Sequence, residues 1–363
     1  MATASSTVLV VGGGVVGRSV AYYLALRGIE VHIIDAGAGL SSTTRASLGV
    51  LTHFNGGDSP YSALYRDGYA SYGELAGQLQ ADTGVDIGWR LPGGIDLILS
   101  DEDEAAAREL LHFNRGRGCA AEWLDAAELR RVEPLVSSQV RGGIYFQGDQ
   151  QVDPEKLARG LLQAVEQRRG RFFCGESMEA LRESSDRGVV VQTNCATRIA
   201  DFLVLATGSW SGRLGERLGV AIPVRPVRGQ HSRFGPGGSV RHILRHGGQQ
   251  IVPAAGAVVV GATTEEVGFD AATTAAAARR FEGAWRRLLG VRAEFGEQRA
   301  GLRPKPKGGR PLIGPLNAHP RVFVATGHYK NGILMGPITG QVIGKWIVEG
   351  DPGRDMDYFA AER

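Results

Sequence analysis

Gly12, Gly13, Gly14, Val15, Val16 and Gly17 stand between the apolar run Val8 to Val11 and a helical stretch ending at Arg27-Gly28. These residue types at this spacing make the strand, glycine turn and helix of a dinucleotide-binding unit. Gly12 allows the tight turn, Gly14 lets backbone approach a pyrophosphate, and Gly17 lets the helix pack close to its strand. The helix start then offers unpaired N–H groups and its positive end to phosphates. A second strand, Glu30 to Ile34, ends in Asp35, whose carboxylate can accept hydrogen bonds from a ribose hydroxyl and disfavours the extra phosphate of NADP. The motif alone fits NAD and FAD equally. Far along the chain Arg303 precedes Pro304 in the loop Arg303 to Pro311, after a strand-like Phe295 to Leu302, and its guanidinium can grip a carboxylate with two parallel hydrogen bonds.

The elements that must position these groups fit within 363 residues, too long for one nucleotide-binding unit and suited to two intertwined domains. The 41 basic and 38 acidic residues are scattered, which argues against a nucleic-acid partner and for a small molecule. Cys119, Cys174 and Cys195 show no metal-ligand spacing and read as buried thiols in a reducing cytoplasm. The N-terminus shows no basic leader or cleavage site, so a cytoplasmic protein is expected. Ile333 to Val348 comes nearest to a membrane span, but it is short and carries Gly336, Pro337, Gly340, Gly344 and Lys345, as a packed core helix would.

Periodicity predicts a long helix over Tyr61 to Ala81, a strand over Ile95 to Leu99, a helix over Asp101 to Asn114 and a strand over Ile144 to Gln147. Asp153-Pro154-Glu155 is a helix start, and Phe202 to Leu205 is a strand running into Ala206-Thr207-Gly208. Strands are further expected at 225–234, 257–262 and 322–325, with a helix at 273–289. Strands outnumber helices in the middle of the chain, while both ends look like nucleotide-binding structure. The expected fold is α/β: a Rossmann-like cofactor domain over 1–85, 141–222 and 300–363, interleaved with a β-rich substrate domain over 86–140 and 223–299.

Six segments together resemble the D-amino-acid oxidase superfamily of flavoproteins, and most closely its glycine oxidase branch. They are Val11 to Gly17, Thr43-Thr44-Arg45-Ala46-Ser47-Leu48-Gly49, Gly148-Asp149 with Val152-Asp153-Pro154, Ala206-Thr207-Gly208-Ser209-Trp210, Gly301-Leu302-Arg303-Pro304, and Gly327-His328-Tyr329-Lys330-Asn331-Gly332-Ile333-Leu334. The resemblance implies non-covalent FAD rather than NAD. It places around the cofactor Val11, Gly12, Gly14, Val15, Val16, Gly17, Asp35, Ala36, Thr43, Thr44, Arg45, Leu48, Gly49, Val50, Met178, Ala206, Thr207, Gly208, Trp210, His328, Lys330, Asn331, Gly332, Ile333 and Leu334. Trp210 reads equally as a packing residue and His328 as a hydrogen-bonding one. Asp149 and Asp153 read as turn and cap residues, and His53, Phe54 and Asn55 as a lid or a plain loop.

In the glycine oxidase pattern Arg303 is the substrate-carboxylate ligand. The implied reaction is FAD-dependent oxidation of glycine, sarcosine or an N-carboxymethyl amine, by hydride transfer from the α-carbon to flavin. Imine hydrolysis then releases glyoxylate and an amine, and dioxygen is reduced to hydrogen peroxide. Two departures bear on the substrate: Gln250 stands where the family carries a tyrosine, and Lys330 where an arginine is common. Both belong with Arg303 among the candidate catalytic residues and favour the larger N-carboxymethyl amine. The alternative is a dehydrogenase passing electrons to a quinone or protein acceptor. A homo-oligomer is compatible with either.

Overall fold

Thr7–Val11 lies within a six-stranded sheet, and its apolar run Val8 to Val11 follows from burial on both faces. In the computed structural model, which describes residues 1–361 apart from 4, 54–56, 117–118, 185–187, 236–239 and 293, Val8 and Val10 enter one core cluster and Leu9 and Val11 another. The sheet runs Leu312–Leu316, His319–Thr326, Phe202–Leu205, Thr7–Val11, Glu30–Asp35, Arg171–Cys174, parallel except for the first pair. The chain leaves Thr7–Val11 through the helix Val15–Ala25 toward Glu30–Asp35 and later returns on the other side with Phe202–Leu205. The crevice at the carboxyl ends of these strands is therefore a topological switch point, the ligand site of doubly wound sheets.

The helix Gly332–Glu349 packs on Val15–Ala25 through glycines four residues apart. A Cβ on Gly340 would sit 2.5 Å from the Ser19 carbonyl oxygen, so here the two helices meet backbone to backbone. Most of Gly332–Glu349 is buried, and among the described residues no helix is long and apolar enough to cross a membrane.

The second large sheet has eight strands in the order Glu294–Pro306, Val224–Gly235, Ala257–Gly261, Gln249–Ala254, Ile243–His246, Gly94–Ile98, Gly142–Phe146, Ala121–Asp125. Gly142–Phe146 and Glu294–Pro306 hydrogen-bond into this sheet, whereas the boundaries expected at 141 and 300 put them wholly or partly on the nucleotide side. One face buries Ile95, Leu97, Val258 and Val260 under Phe281 and Trp285 of the helix Ala275–Leu288. On the other, Ile243, Val252 and Val259 pack against Leu48 and Val50 of the nucleotide-binding half.

Three expectations need correction. Arg303 lies in a strand, not a loop, because Glu294–Pro306 runs on through Pro304 and Pro306; an edge strand tolerates prolines that a central one would not. The long helix over Tyr61 to Ala81 is two, Pro60–Ala70 and Tyr72–Thr83, separated at Ser71. Of the cysteines only Cys119 is buried; Cys174 and Cys195 are exposed.

Candidate active site

A cavity of about 680 Å³ follows the carboxyl ends of the central strands. Val11, Gly12, Gly14, Val15 and Val16 form its wall at the turn, and Asp35, Ala36 and Met178 stand at one side. Thr43, Thr44, Ala206, Thr207, Gly208 and Trp210 continue the wall to His328 and Gly332. The remaining expected cofactor residues stand outside this lining. Gly17 is packed behind the turn, and Leu48 and Val50 sit on the second sheet. A Cβ on Gly49 would meet the Val152 carbonyl oxygen at 2.0 Å. The Arg45 carbonyl faces Arg299, and Asn331 Nδ2 donates to the Tyr61 hydroxyl. Ile333 and Leu334 are buried at the start of Gly332–Glu349.

The three glycines of the turn differ in what requires them. A Cβ on Gly12, whose φ is +114°, would lie 2.3 Å from the Ala206 oxygen, and one on Gly17 would lie 1.9 Å from the Gly12 oxygen. Protein packing alone demands both. At Gly14 the nearest atom would be 3.7 Å away, so no protein neighbour needs that glycine, and its bare backbone faces the cavity. In the helices Val15–Ala25 and Gly332–Glu349 the N-cap residues, Gly14 and Asn331, give no side-chain cap. Two positive helix ends at one elongated cavity suit a ligand with a diphosphate at one point and a group that gains negative charge at another. Asp35 also braces the turn itself: Oδ2 accepts from Gly13 N at 2.6 Å and Oδ1 from Gly37 N at 2.7 Å. Thr44 Oγ1 accepts from Val15 N at 3.2 Å, while the Thr43 hydroxyl donates to the Leu302 carbonyl.

His328 is 4% exposed, shares a hydrogen bond of 2.9 Å between Nε2 and Thr339 Oγ1, and has its pKa pushed down to about 4 by burial. His231, facing the Ala46 carbonyl, is also held at about 4, chiefly by burial. Both are neutral at pH 7, and on unfolding each regains an ordinary pKa near 6.5. Between pH 6.5 and 4 the unfolded chain thus binds more protons, so stability falls as pH falls through that window, by on the order of 2 kcal/mol per histidine at pH 5. Melting of the holoprotein at pH 7 and pH 5 measures this. His231→Gln, which keeps a donor for Ala46, is expected to shrink the difference, and an unchanged difference would exclude His231 as a contributor.

Arg303 is partly buried; its Nη1 donates to the Thr263 carbonyl at 2.7 Å, and burial pulls its pKa down. Among the described residues no carboxylate lies within ion-pair distance of it. Its neighbours Leu302 and Pro304 line the first cavity. A second cavity, of about 460 Å³, is lined by Gln250, Lys330, Arg245, Asp96, Ala106 and Leu110 among others. Gln250 is opposite Arg245, and Arg245 opposite Asp96, so the three form a row across the sheet. Arg245 is held between Asp96, at 2.5 Å, and the fully buried Asp149, which also accepts from His53 N. Lys330 sits at the exposed rim; its pKa is lowered by burial and then by Arg303 and Lys305. Gln250 and Lys330 therefore share one cavity, with Arg303 next to the other. Asp153 caps Pro154–Gln167 through Glu155 N and Lys156 N, but Asp149 does more than shape a turn. Phe54 and Asn55 lie outside the described residues.

Sequence reasoning missed Glu176, a buried cavity residue paired with Arg198 at 2.5 Å, although it stands only two places before Met178. It also missed Arg245 with Asp96 and Asp149, for which no local pattern exists.

A family profile described as DAO, FAD dependent oxidoreductase, matches residues 7–346, and the chain belongs to that family. FAD is accordingly its cofactor, and the chain is an FAD-dependent oxidoreductase. It is 30% identical over 365 residues to the glycine oxidase of Geobacillus kaustophilus (strain HTA426), covering 98% of this chain and 96% of that protein. It is 31% identical over 370 residues to the glycine oxidase of Pseudomonas putida (strain KT2440), covering 99% of both. The crystal structure of glycine oxidase from Geobacillus kaustophilus superposes with a TM-score of 0.91 at 30% identity, over 99% of each chain.

Proposed function

We propose that the chain oxidises a glycine-type amine, namely glycine, sarcosine or a larger N-carboxymethyl amine, to glyoxylate and the freed amine, with dioxygen as final acceptor. The observation that carries this reading is Arg303, a partly buried guanidinium with one hydrogen bond to a carbonyl and no carboxylate partner among the described residues. A cation left in that condition favours a planar anion that accepts two parallel hydrogen bonds. The two relatives named glycine oxidase, matched over nearly their whole length, support the same class.

Gly14, Val15, Thr43, Thr44 and Thr207 would hold the pyrophosphate of FAD, Asp35, Glu176 and Met178 its adenosine end, and His328, Tyr329 and Gly332 its pyrimidine edge. Bound there, FAD supplies the two-electron acceptor for the substrate's α-carbon–hydrogen bond. Arg303 fixes the carboxylate, so the α-carbon and amine are presented in one orientation and positioning carries most of the rate. His328, neutral and engaged with Thr339, is a weak base and serves as wall and hydrogen-bond partner. The cavity at Gln250 and Lys330 gives room for a nitrogen substituent, with Lys330 placed to meet a second acid on it.

Anaerobic bleaching of the flavin by glycine, sarcosine and N-carboxymethyl amines tests the reading, followed by oxygen consumption and peroxide release in air. At least one of these amines is expected to bleach it; no bleaching by any would overturn the reading. Bleaching without oxygen consumption would point to the dehydrogenase alternative. Gln250→Tyr, which fills the second cavity, is expected to lower the kcat/KM ratio of a large N-carboxymethyl amine over sarcosine by about tenfold, the value of one or two buried methylenes. An unmoved ratio would place the nitrogen substituent elsewhere.

A further inference from the structure

We propose that Gly229 is a positioning residue for Arg303: its bare backbone is the seat on which the guanidinium rests. The proposal builds on the reading of Arg303 as carboxylate ligand. Gly229 lies in Val224–Gly235, which pairs with the edge strand so that Val227 faces Arg303 and Gly229 faces Gly301. The Arg303 side chain leans along this neighbour. A Cβ on Gly229 would stand 2.2 Å from Arg303 Cζ, 2.2 Å from Nη2 and 2.5 Å from Nη1, so the guanidinium occupies the space any other residue would fill. Gly229 is not among the residues with positive φ, so its own backbone does not call for glycine. Glycine inside a strand costs stability, and close approach of another group is the usual reason to keep one.

The surroundings fix this seat. Gln230 N donates to Thr263 Oγ1 at 2.9 Å and Thr263 N to the Gln230 carbonyl at 3.1 Å, so the Thr263 carbonyl that receives Nη1 is itself tied to the strand. Arg228 and Gln230, on either side of Gly229, alternate to the opposite face. There Arg228 binds Glu265 at 2.5 Å and Asp270 at 2.6 Å, and Gln230 also donates to Glu265. Both carboxylates are thereby engaged by Arg228; Glu265 attracts the Arg303 guanidinium from a distance, but among the described residues no carboxylate pairs with the fork itself. One contact surface and one hydrogen bond together set where its remaining N–H groups point, which a bidentate contact needs to within roughly 10–20°.

Gly229→Ala tests this in the holoenzyme. The atoms a methyl group meets are the end of a flexible side chain, so the guanidinium moves while the strand stays. Flavin content and melting temperature are expected near wild type. The Kd of glycolate, a two-carbon carboxylate with no amine, read from perturbation of the flavin spectrum, is expected to rise about tenfold or more, the effect of losing one charge-assisted hydrogen bond. KM for the amine substrate rises more than kcat falls. The double variant with Arg303→Ala is expected to match Arg303→Ala alone within about twofold, since Gly229 acts only through that side chain. A glycolate Kd within about twofold of wild type, or independent additive effects, would overturn the proposal. If Gly229→Ala yields no holoprotein but the double variant does, the clash with Arg303 is demonstrated directly; if neither does, the glycine serves the fold and the proposal fails. Should Arg303→Ala itself leave glycolate binding intact, the carboxylate-ligand reading falls first; should it weaken binding while Gly229→Ala does not, only the seat is wrong.

Discussion

Gly14→Val is expected to give a folded, colourless protein. At Gly14 the backbone has φ −73° and ψ 177°, angles open to any residue, and the nearest atom to an added Cβ is 3.7 Å away. The chain therefore accepts the side chain, and only a ligand approaching the head of Val15–Ala25 meets it. Valine there would hold a diphosphate off the helix end and forfeit both the amide contacts and the favourable dipole, raising the Kd for FAD by at least about a hundredfold. Gly12→Ala makes the contrast: its positive φ and the Ala206 oxygen at 2.3 Å from the added Cβ predict loss of the fold itself. Flavin absorbance after gel filtration, with circular dichroism of the same samples, measures both. A stoichiometrically yellow Gly14→Val protein would mean that the diphosphate lies elsewhere.

Arg303→Ala is expected to keep its flavin and lose most of its turnover. The residue lies outside the lining of the cofactor cavity, so flavin content should hold. Removing a desolvated bidentate partner costs about 2–4 kcal/mol, which corresponds to a fall in kcat/KM of roughly 30- to 1000-fold. Arg303→Lys is expected to recover little, since a point charge on a flexible stem cannot reproduce the fork resting on Gly229. Steady-state kinetics with glycine and sarcosine decide the matter, and near-normal kcat/KM in the alanine variant would mean that the carboxylate binds to another group.

What could be read from the sequence was local. The spacing of Gly12, Gly14 and Gly17, the acid at Asp35 and the capped helix start at Asp153 each report on a few consecutive residues; close packing requires Gly12 and Gly17, Asp35 braces the turn, and Asp153 caps its helix. The Arg303 strand was misjudged because prolines ordinarily end strands, and only the strand's place at a sheet edge explains their tolerance. The row Gln250, Arg245 and Asp96 gathers residues from three strands, and Asp149 joins it from a fourth segment of the chain. Sheet register brings them together, and register is invisible until the sheet exists. Gly229 is similar: a glycine between Arg228 and Gln230 shows no turn signature, and its purpose emerges only once a side chain from the next strand lies across it.

The glycine seam between Val15–Ala25 and Gly332–Glu349 bears on how such a protein can diverge. With the Ser19 carbonyl only 2.5 Å from where a Gly340 side chain would begin, the seam is pinned at that one crossing, while Gly336 and Gly344 sit at ordinary contact distance. Both helices open at the cofactor cavity, so descendants of this chain inherit the spacing of those two ends almost as a fixed dimension. Gln250 and Lys330, by contrast, line the second cavity, apart from the seam, and neither is held in an ion pair among the described residues. Lineages that acquire new amines as substrates are thus expected to record the change on the eight-stranded sheet and leave the seam untouched, so a survey of diverged relatives should find variation concentrated on one side of the molecule.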